Sequence, residues 1–254
     1  GARRYRRDVR DGDDYVINGQ KIWTTGAQFA DMMYMLARTD PDAPKHRGIS
    51  YFMLDMKAPG VTVRPLITMA GSATFNEVFF ENVRVPARNR LGEENRGWYI
   101  GTTTLDFERS SIGSAVGIRK QLESIIKFAK ERPELNVGAS KHATKAALAD
   151  RWIEAQVAKM MSYRVVSMQQ AGLIPNHEAS MCKLFTSEMG QKIAALGLKM
   201  SGMYGMVIGG HPSYAPAGRY GVGYVAAVSS TIAGGTSEIQ RNIMAQRGLG
   251  LPRD

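Results

Sequence analysis

The chain has 254 residues, 44% of them hydrophobic and 22% charged, which is the composition of a folded globular protein of one large or two modest domains. That excludes a disordered chain, and no apolar run reaches the roughly 20 residues that a bilayer-spanning helix needs. An intracellular, cytoplasmic protein is expected, or a mitochondrial-matrix one in a eukaryote. The net charge of +10 owes much to Arg3, Arg4, Arg6, Arg7 and Arg10 at one terminus. Aromatic residues do not interleave with a basic stripe, so nucleic acid is not the expected partner. A single cysteine, Cys182, rules out an intramolecular disulfide, and four scattered histidines give no zinc pattern.

The first part of the chain reads as strands. Asp11-Gly12-Asp13-Asp14 is a turn signal, and Tyr15-Val16-Ile17 is a short β-branched run. Asn18-Gly19 has the form of a two-residue hairpin turn before Gln20-Lys21-Ile22-Trp23. Further short strands are expected at 32–37, 49–54, 61–63, 77–80 and 83–86, which points to a small sandwich or barrel.

From about Trp98 the period becomes helical. Ile112, Ala115, Leu122, Ile125 and Ala129 form one stripe, Ile153, Val157, Met161, Val165 and Met168 a second, and Cys182, Phe185, Met189, Ile193 and Leu196 a third. Cys182 falls on an apolar face and reads as a buried structural thiol. Fifteen methionines fit core filling better than a ligand-accommodating face. The expected class is α+β: an N-terminal β-sandwich or barrel over 1–96, then an up-down four-helix bundle over 97–254.

Near the end, Gly234-Gly235-Thr236-Ser237-Glu238-Ile239-Gln240-Arg241 is a glycine-threonine turn opening a short helix. Such a turn can aim backbone N–H groups at a phosphate or a carbonyl, and it also makes an ordinary capped helix with Thr236 or Ser237 as N-cap.

A β-domain followed by a bundle and this closing turn resembles the acyl-CoA dehydrogenase family. Local motifs agree in the family's order: Gly19-Gln20-Lys21-Ile22-Trp23-Thr24-Thr25, Phe75-Asn76-Glu77-Val78-Phe79-Phe80, Val83-Arg84-Val85-Pro86, Leu91-Gly92 before Gly97-Trp98, and Glu178 through Phe185. The family's N-terminal helical domain and its Thr-Glu-Pro-Gly-Ser-Asp flavin loop have no counterpart here. The chain is therefore expected to be a fragment covering the middle and C-terminal domains.

The resemblance implies FAD as cofactor and an acyl-CoA thioester as substrate, oxidised to its trans-2-enoyl-CoA. It also implies an electron-transfer flavoprotein as acceptor and a homo- or hetero-oligomer, dimer or tetramer. In many relatives the base is a glutamate at the position of Gly234. A second group, resembling isovaleryl-CoA and long-chain enzymes, carries it within a segment similar to Leu105-Asp106-Phe107-Glu108-Arg109, which makes Glu108 the catalytic candidate. That role asks for a pocket that raises the carboxyl pKa; the alternative is a helix-surface charge near Arg109. Gly234 and Gly235 keep the family's backbone hold on the thioester carbonyl, and Asp106 and Arg109 match contacts to the coenzyme A arm. Arg109 could instead pair with a nearby acid.

Trp23, Thr24 and Thr25 match the segment that covers the flavin, while an ordinary core tryptophan is the alternative. Thr236 and Glu238 match its diphosphate side. Arg132, Ser201 and Gly202 match residues that reach a neighbouring subunit's flavin, although Arg132-Pro133-Glu134-Leu135-Asn136 and Leu198-Lys199-Met200-Ser201-Gly202 have lost much of both family motifs. Two rivals follow: an oxygen-using acyl-CoA oxidase or flavin monooxygenase of the same fold, and a non-catalytic structural subunit.

Overall fold

The computed structural model describes residues 9–109, 112–207 and 215–252, leaving aside the side chains of residues 9, 106–109, 112, 215 and 216. Two compact units divide at Thr104 and Leu105.

The first unit is a two-sheet sandwich. Strands β1 (Val9–Asp11), β2 (Asp14–Lys21), β6 (Phe75–Pro86) and β5 (Val61–Leu66) make one antiparallel sheet in the order β1-β2-β6-β5. Strands β3 (Met32–Arg38), β4 (Ile49–Asp55) and β7 (Arg90–Leu91) make the other, in that order. The inward faces meet in one core, with Tyr15 and Ile17 from β2, Met35 from β3, Phe52 and Leu54 from β4, and Val78 and Val83 from β6. Tyr15 and Phe52 touch edge to face, their ring centres 4.8 Å apart.

Asn18-Gly19 is not a hairpin turn. β2 runs straight through it, and the register against β6 slips between Ile17 and Gly19. Glu81 and Asn82 together oppose Asn18, with Asn82 at φ 52°, and the Asn82 N–H donates to the Asn18 side-chain oxygen at 2.9 Å. The asparagine stabilises a bulge in the partner strand. The bulge also fuses what the sequence suggests as two strands into one, because it resets the alternation so that both Phe80 and Val83 face the core. The actual hairpin turn is Gly12-Asp13 between β1 and β2.

Helix α1 (Gly97–Arg109) straddles the division. The second unit is built from α2 (Ile112–Glu131), α3 (Lys141–Gln170), α4 (His177–Ser201) and α5 (Ala215–Ala227), with the short α6 (Ser237–Ile243) after them. α4 packs against α2, α3, α5 and α6 and is the central element. Local chemistry sets the ends: Pro133 follows α2, Ser140 caps α3 by accepting the Ala143 N–H at 3.2 Å, and Gly202 leaves α4 at φ 52°.

The third stripe expected from the sequence is inside, with Cys182, Met189 and Ile193 all buried. The second is inside only in part. On α3 the buried residues are Thr144, Ala155, Ala158, Ser162 and Val165; of the expected stripe Val165 is among them, whereas Ile153 and Val157 are exposed. Small residues on the inner face let α4 approach closely, and Ser162 Oγ lies 3.4 Å from Cys182 Sγ. Hydrophobic periodicity weights large residues and so passes over most of the inner face of this helix.

Gly138 sits where the α2–α3 connection crosses the end of α4. Its N–H donates to the Met200 carbonyl at 2.8 Å, and a Cβ there would lie 1.8 Å from the Lys199 carbonyl oxygen. Gly138→Ala is expected to destabilise the bundle by about 1–3 kcal/mol through forced backbone movement, read as a lower denaturant midpoint at unchanged slope.

Candidate functional site

The closing turn is a constrained piece of backbone. Gly234 and Gly235 both lie in the left-handed region, at φ 68° and 102°. Their carbonyls are tied from below: the fully buried Gln240 amide donates to Gly234 O at 3.1 Å and Gly235 O at 3.2 Å, and Lys183 Nζ from α4 donates to Gly235 O at 2.7 Å. A Cβ at Gly235 would stand 2.5 Å from Gln240 Nε2 and would displace the amide from its two carbonyls, at a φ that already favours glycine.

Thr236 is the N-cap of α6, its Oγ1 accepting the Ile239 N–H at 3.3 Å. The carboxyl of Glu238 is held below the usual carboxylate range by the hydrogen bond from its own backbone N–H, then by the Thr236 hydroxyl, with Arg241 and Lys183 adding favourable charge. Ser237 is buried, yet its Oγ has no hydrogen-bond partner among the described residues. A cavity of about 440 Å³ opens there, lined by Thr236, Ser237, Glu238, Arg241, Glu188 and Lys192.

Gly234 also forms one wall of a larger cleft of about 910 Å³, which runs between α2, α4 and α5. The cleft is mainly apolar, with Lys183 at the end near the turn and Arg219 and Tyr220 on α5. Burial raises the Tyr220 phenol above its ordinary value, and Arg219 opposes that shift by donating to the Tyr220 hydroxyl at 2.8 Å.

Ser201 and Gly202 lie elsewhere, at the end of α4 remote from the closing turn, and Arg132 follows α2. Arg132 pairs with Glu134, and Gly202 lies against Gly138, whose Cα would be 3.3 Å from a Cβ at 202. Asp106, Glu108 and Arg109 belong to the last turn of α1, and their side chains are outside the described residues.

In the first unit, Trp23 is not on a strand and not in a core. β2 ends at Lys21, Trp23 adopts φ 64°, and its side chain is 63% exposed, edge-on to Phe75 at 6.0 Å. Thr24 anchors the segment by exchanging backbone hydrogen bonds with buried Asn76, at 3.0 and 3.1 Å, and Thr25 is exposed beside it. A left-handed residue and a large indole in solvent are both costly, and neither is required by the sandwich.

One cluster escapes the sequence reading altogether. Lys45, His46 and Arg47 on the β3–β4 loop stand beside Arg96, Trp98 and Tyr99 at the start of α1. The His46 ring is 5.8 Å from Trp98 and 5.7 Å from Tyr99, and the Arg96 guanidinium lies 4.6 Å over the Tyr99 ring. The loop is preformed: Arg38 donates to the carbonyls of Asp40, Ala43 and Lys45, and a Cβ at Gly48 would strike the Asp40 oxygen at 2.1 Å. On the other side, a Cβ at Gly97 would lie 2.3 Å from the Ser50 backbone. Among the described residues no carboxylate pairs with Lys45, Arg47 or Arg96. About fifty residues separate the two halves of the cluster, so no local motif reveals it; the two basic-aromatic runs are its only sequence signal.

No group of three His, Cys, Asp or Glu among the described residues could hold a metal, and no described helix is long and apolar enough to cross a membrane.

The family described as acyl-CoA dehydrogenase, middle domain, matches residues 5–83, and that described as acyl-CoA dehydrogenase, C-terminal domain, matches residues 95–249. The acyl-CoA dehydrogenase IpdE1 of Mycobacterium tuberculosis is 32% identical over 249 residues, covering 96% of this chain and 61% of that protein. The solved structure of the Tcur3481-Tcur3483 steroid ACAD superimposes with a TM-score of 0.86 at 29% identity, covering 98% of this chain and 64% of that one. The ChsE4-ChsE5 complex from Mycobacterium tuberculosis gives 0.82 at 34% identity, covering 98% and 64%. The chain thus spans a little under two thirds of the length of these relatives, and it belongs to the acyl-CoA dehydrogenase family.

Cys182 takes no part in either cleft. It is buried against Ser162, and burial pushes its thiol pKa up from 9.0, with the Ser162 hydrogen bond opposing the shift. A raised folded-state value means that the folded chain holds its proton longer than the unfolded one, so this contribution to stability is intact below about pH 9 and lost as pH rises further. A disulfide thiol reagent is expected to modify Cys182 on the order of a hundred-fold more slowly in the folded than in the unfolded protein, measured by thionitrobenzoate release with and without denaturant.

Proposed function

We propose that this chain carries the flavin and substrate sites of an enzyme that oxidises an acyl-CoA thioester to its trans-2-enoyl-CoA, with FAD as cofactor and an electron-transfer flavoprotein as acceptor. The observation that carries this reading is the closing turn. It is a backbone-only carbonyl site in which Gly234 stands where many relatives have their base, combined with a glutamate at 108 in the other family position.

The residues fit FAD. Trp23 offers an exposed indole in a strained but anchored segment, and Thr24 and Thr25 follow it at the same rim. At the turn, Thr236 and Glu238 border a cavity into which Ser237 brings a buried hydroxyl unpartnered among the described residues; Arg241 and Lys192 also line it, paired with Glu188 and Glu154. Glu238 itself is committed to its own N–H and to Thr236, so a diphosphate would meet backbone and Ser237 there rather than this carboxylate. Bound FAD supplies the hydride acceptor. Glu108 removes the α-proton of the thioester, Gly234 and Gly235 hold the carbonyl, and Asp106 and Arg109 steady the coenzyme A arm. The Lys45-Arg47-Arg96 cluster, with Trp98 and Tyr99, takes the phosphorylated adenosine of coenzyme A: cations without carboxylate partners meet its phosphates, and a ring meets its base.

Arg132, Ser201 and Gly202 would serve a flavin held by a second subunit, which makes the enzyme an oligomer, a dimer or tetramer. A second reading rests on a specific observation there. Arg132 is already paired with Glu134 and the glycine surface at 202 is covered by Gly138, which favours a hetero-oligomer in which some interfaces hold no flavin. The flavin-to-protomer ratio of the purified oligomer decides: one per protomer supports a complete cross-subunit site, and one per two protomers supports the half-occupied arrangement.

Two further outcomes test the main reading. Glu108→Gln should bind substrate but lose about 10²–10⁴-fold in the rate of anaerobic flavin bleaching; full retention of that rate would remove Glu108 as base. Replacing Lys45, Arg47 and Arg96 together by alanine should raise KM about tenfold or more for an acyl-CoA. For the acyl-pantetheine thioester, which lacks the nucleotide, KM should not move. An equal rise for both thioesters would reject the nucleotide assignment.

A further inference from the structure

Lys183 of α4 reaches under the closing turn. It is half-buried, one residue after the buried Cys182. Its Cε would lie 3.9 Å from a Cβ at Gly234, and its Nζ donates to the Gly235 oxygen at 2.7 Å. The same side chain lines the 910 Å³ cleft. Withdrawing an ammonium from water costs free energy, so the charge at this place calls for a reason.

The turn does not need this lysine as a tether. Before the turn, Gln191 of α4 donates to the Thr231 hydroxyl at 2.9 Å, and Ser230 donates to the Ser187 carbonyl of α4 at 3.4 Å. After it, Arg241 pairs with Glu188 of α4 at 2.6 Å. Gln240 already donates to both turn carbonyls, at 3.1 and 3.2 Å. A neutral residue of similar length, such as methionine, would leave all of these contacts in place. What the lysine adds is a charged second donor on the Gly235 oxygen.

The effect of that donor falls on the other side of the peptide group. Both turn peptides are trans, so each N–H points opposite to the carbonyl of its own unit. Tying the Gly234 and Gly235 oxygens therefore sets the direction of the Gly235 and Thr236 N–H groups, and neither N–H meets an acceptor among the described residues. A carbonyl that accepts from an ammonium draws electron density out of its peptide and makes the N–H of that unit a stronger donor. An oxygen gaining negative charge at the turn is stabilised by donors aligned and polarised in advance.

We propose that Lys183 is a positioning residue for the carbonyl site: through the Gly235 oxygen it orients and strengthens the N–H donors of the turn, so that the thioester oxygen is held most firmly as it gains negative charge. This rests on the acyl-CoA reading above, in which Gly234 and Gly235 hold that oxygen. A tether would serve any ligand of the turn equally. A polarising charge serves only a ligand that brings an acceptor oxygen.

The test uses the flavin-loaded protein and two ligands that cannot reduce the flavin. Acetyl-CoA has the thioester carbonyl but no β-carbon to give up a hydride, and S-ethyl-CoA has the same skeleton with a methylene in place of the carbonyl. Calorimetry gives both affinities without turnover. The unmodified protein should bind acetyl-CoA about three- to tenfold more tightly than S-ethyl-CoA. In Lys183→Met that preference should fall to about one, with the affinity for S-ethyl-CoA moving less than about twofold. Lys183→Arg keeps a charged donor and should keep the preference. Lys183→Gln, with a neutral donor, should fall between the two, and it carries the comparison should the methionine variant fail to load flavin.

A preference that survives in Lys183→Met overturns the assignment and leaves the acyl-CoA reading standing. So does an equal loss for both ligands, or a loss in Lys183→Arg as complete as in Lys183→Met. No preference in the unmodified protein means that the turn does not hold the carbonyl, and the proposed roles of Gly234 and Gly235 fall with that of Lys183. Failure of both ligands to bind removes the coenzyme A reading itself.

Discussion

The functional end of the bundle depends on the grip of one buried amide on two consecutive carbonyls. Gly234 and Gly235 reverse the chain through left-handed backbone, and Gln240, six residues after the first, reaches back to both oxygens while Lys183 takes the second again. The three hydrogen bonds fix the turn against α4, so Thr236 caps α6 in a defined place and Ser237 is carried inside. The same backbone bears on the chemistry of position 234. At φ 68° a glutamate would adopt a conformation that costs an L-residue roughly 1–2 kcal/mol. Glycine relieves that cost and leaves no side chain to act as base. In the proposed mechanism the turn serves as the carbonyl-binding element, and the carboxylate is supplied by Glu108 on another helix.

Much of this was legible from residues alone, and the failures share a physical origin. The division into a β unit and a helical unit follows from the change of period near Trp98, because each period is set by backbone geometry and survives any tertiary context. The α4 stripe was legible because its inner residues are the large ones, Met189 and Ile193. On α3 only Val165 of the expected stripe is buried, because the other inner residues are small, Ala155, Ala158 and Ser162 among them, and the energy of close helix approach leaves little trace in a hydrophobicity count. Asn18-Gly19 was misread for a related reason. The dipeptide reports a preference for unusual backbone, but whether that preference is met by a hairpin or across from a bulge is decided by Asn82, far away in sequence.

At the site, contiguous motifs were readable and assembled ones were not. Trp23 through Thr25 and Gly234 through Glu238 are each one short run, so a family pattern locates them; what the pattern does not carry is that Trp23 is left-handed and exposed. The Lys45–Tyr99 cluster joins the β3–β4 loop to the start of α1, which neither charge nor periodicity connects. The wide cleft behind Gly234 is a property of what three helices lack, and an absence of side chains at 117, 190 and 223 becomes visible only when those helices are placed face to face.

The arrangement of α4 constrains how a complete enzyme must be assembled. Lys183 lies at the closing turn and Ser201 lies at the opposite end of the same helix, a rise of about 27 Å. A rigid helix of that length cannot bring Arg132, Ser201 and Gly202 to the ligand that Thr236 and Ser237 face within one chain. In the oligomer proposed above, the distal group would face a ligand held by another subunit. There the chemistry of this chain is sparing: its one guanidinium at 132 is committed to Glu134, and the glycine surface at 202 is covered. A binding site stripped of its free cation and its bare backbone loses the terms that favour an anionic cofactor most strongly. That contrast between a well-built near end and a depleted far end is the ground for the second reading proposed above, in which some interfaces hold no flavin.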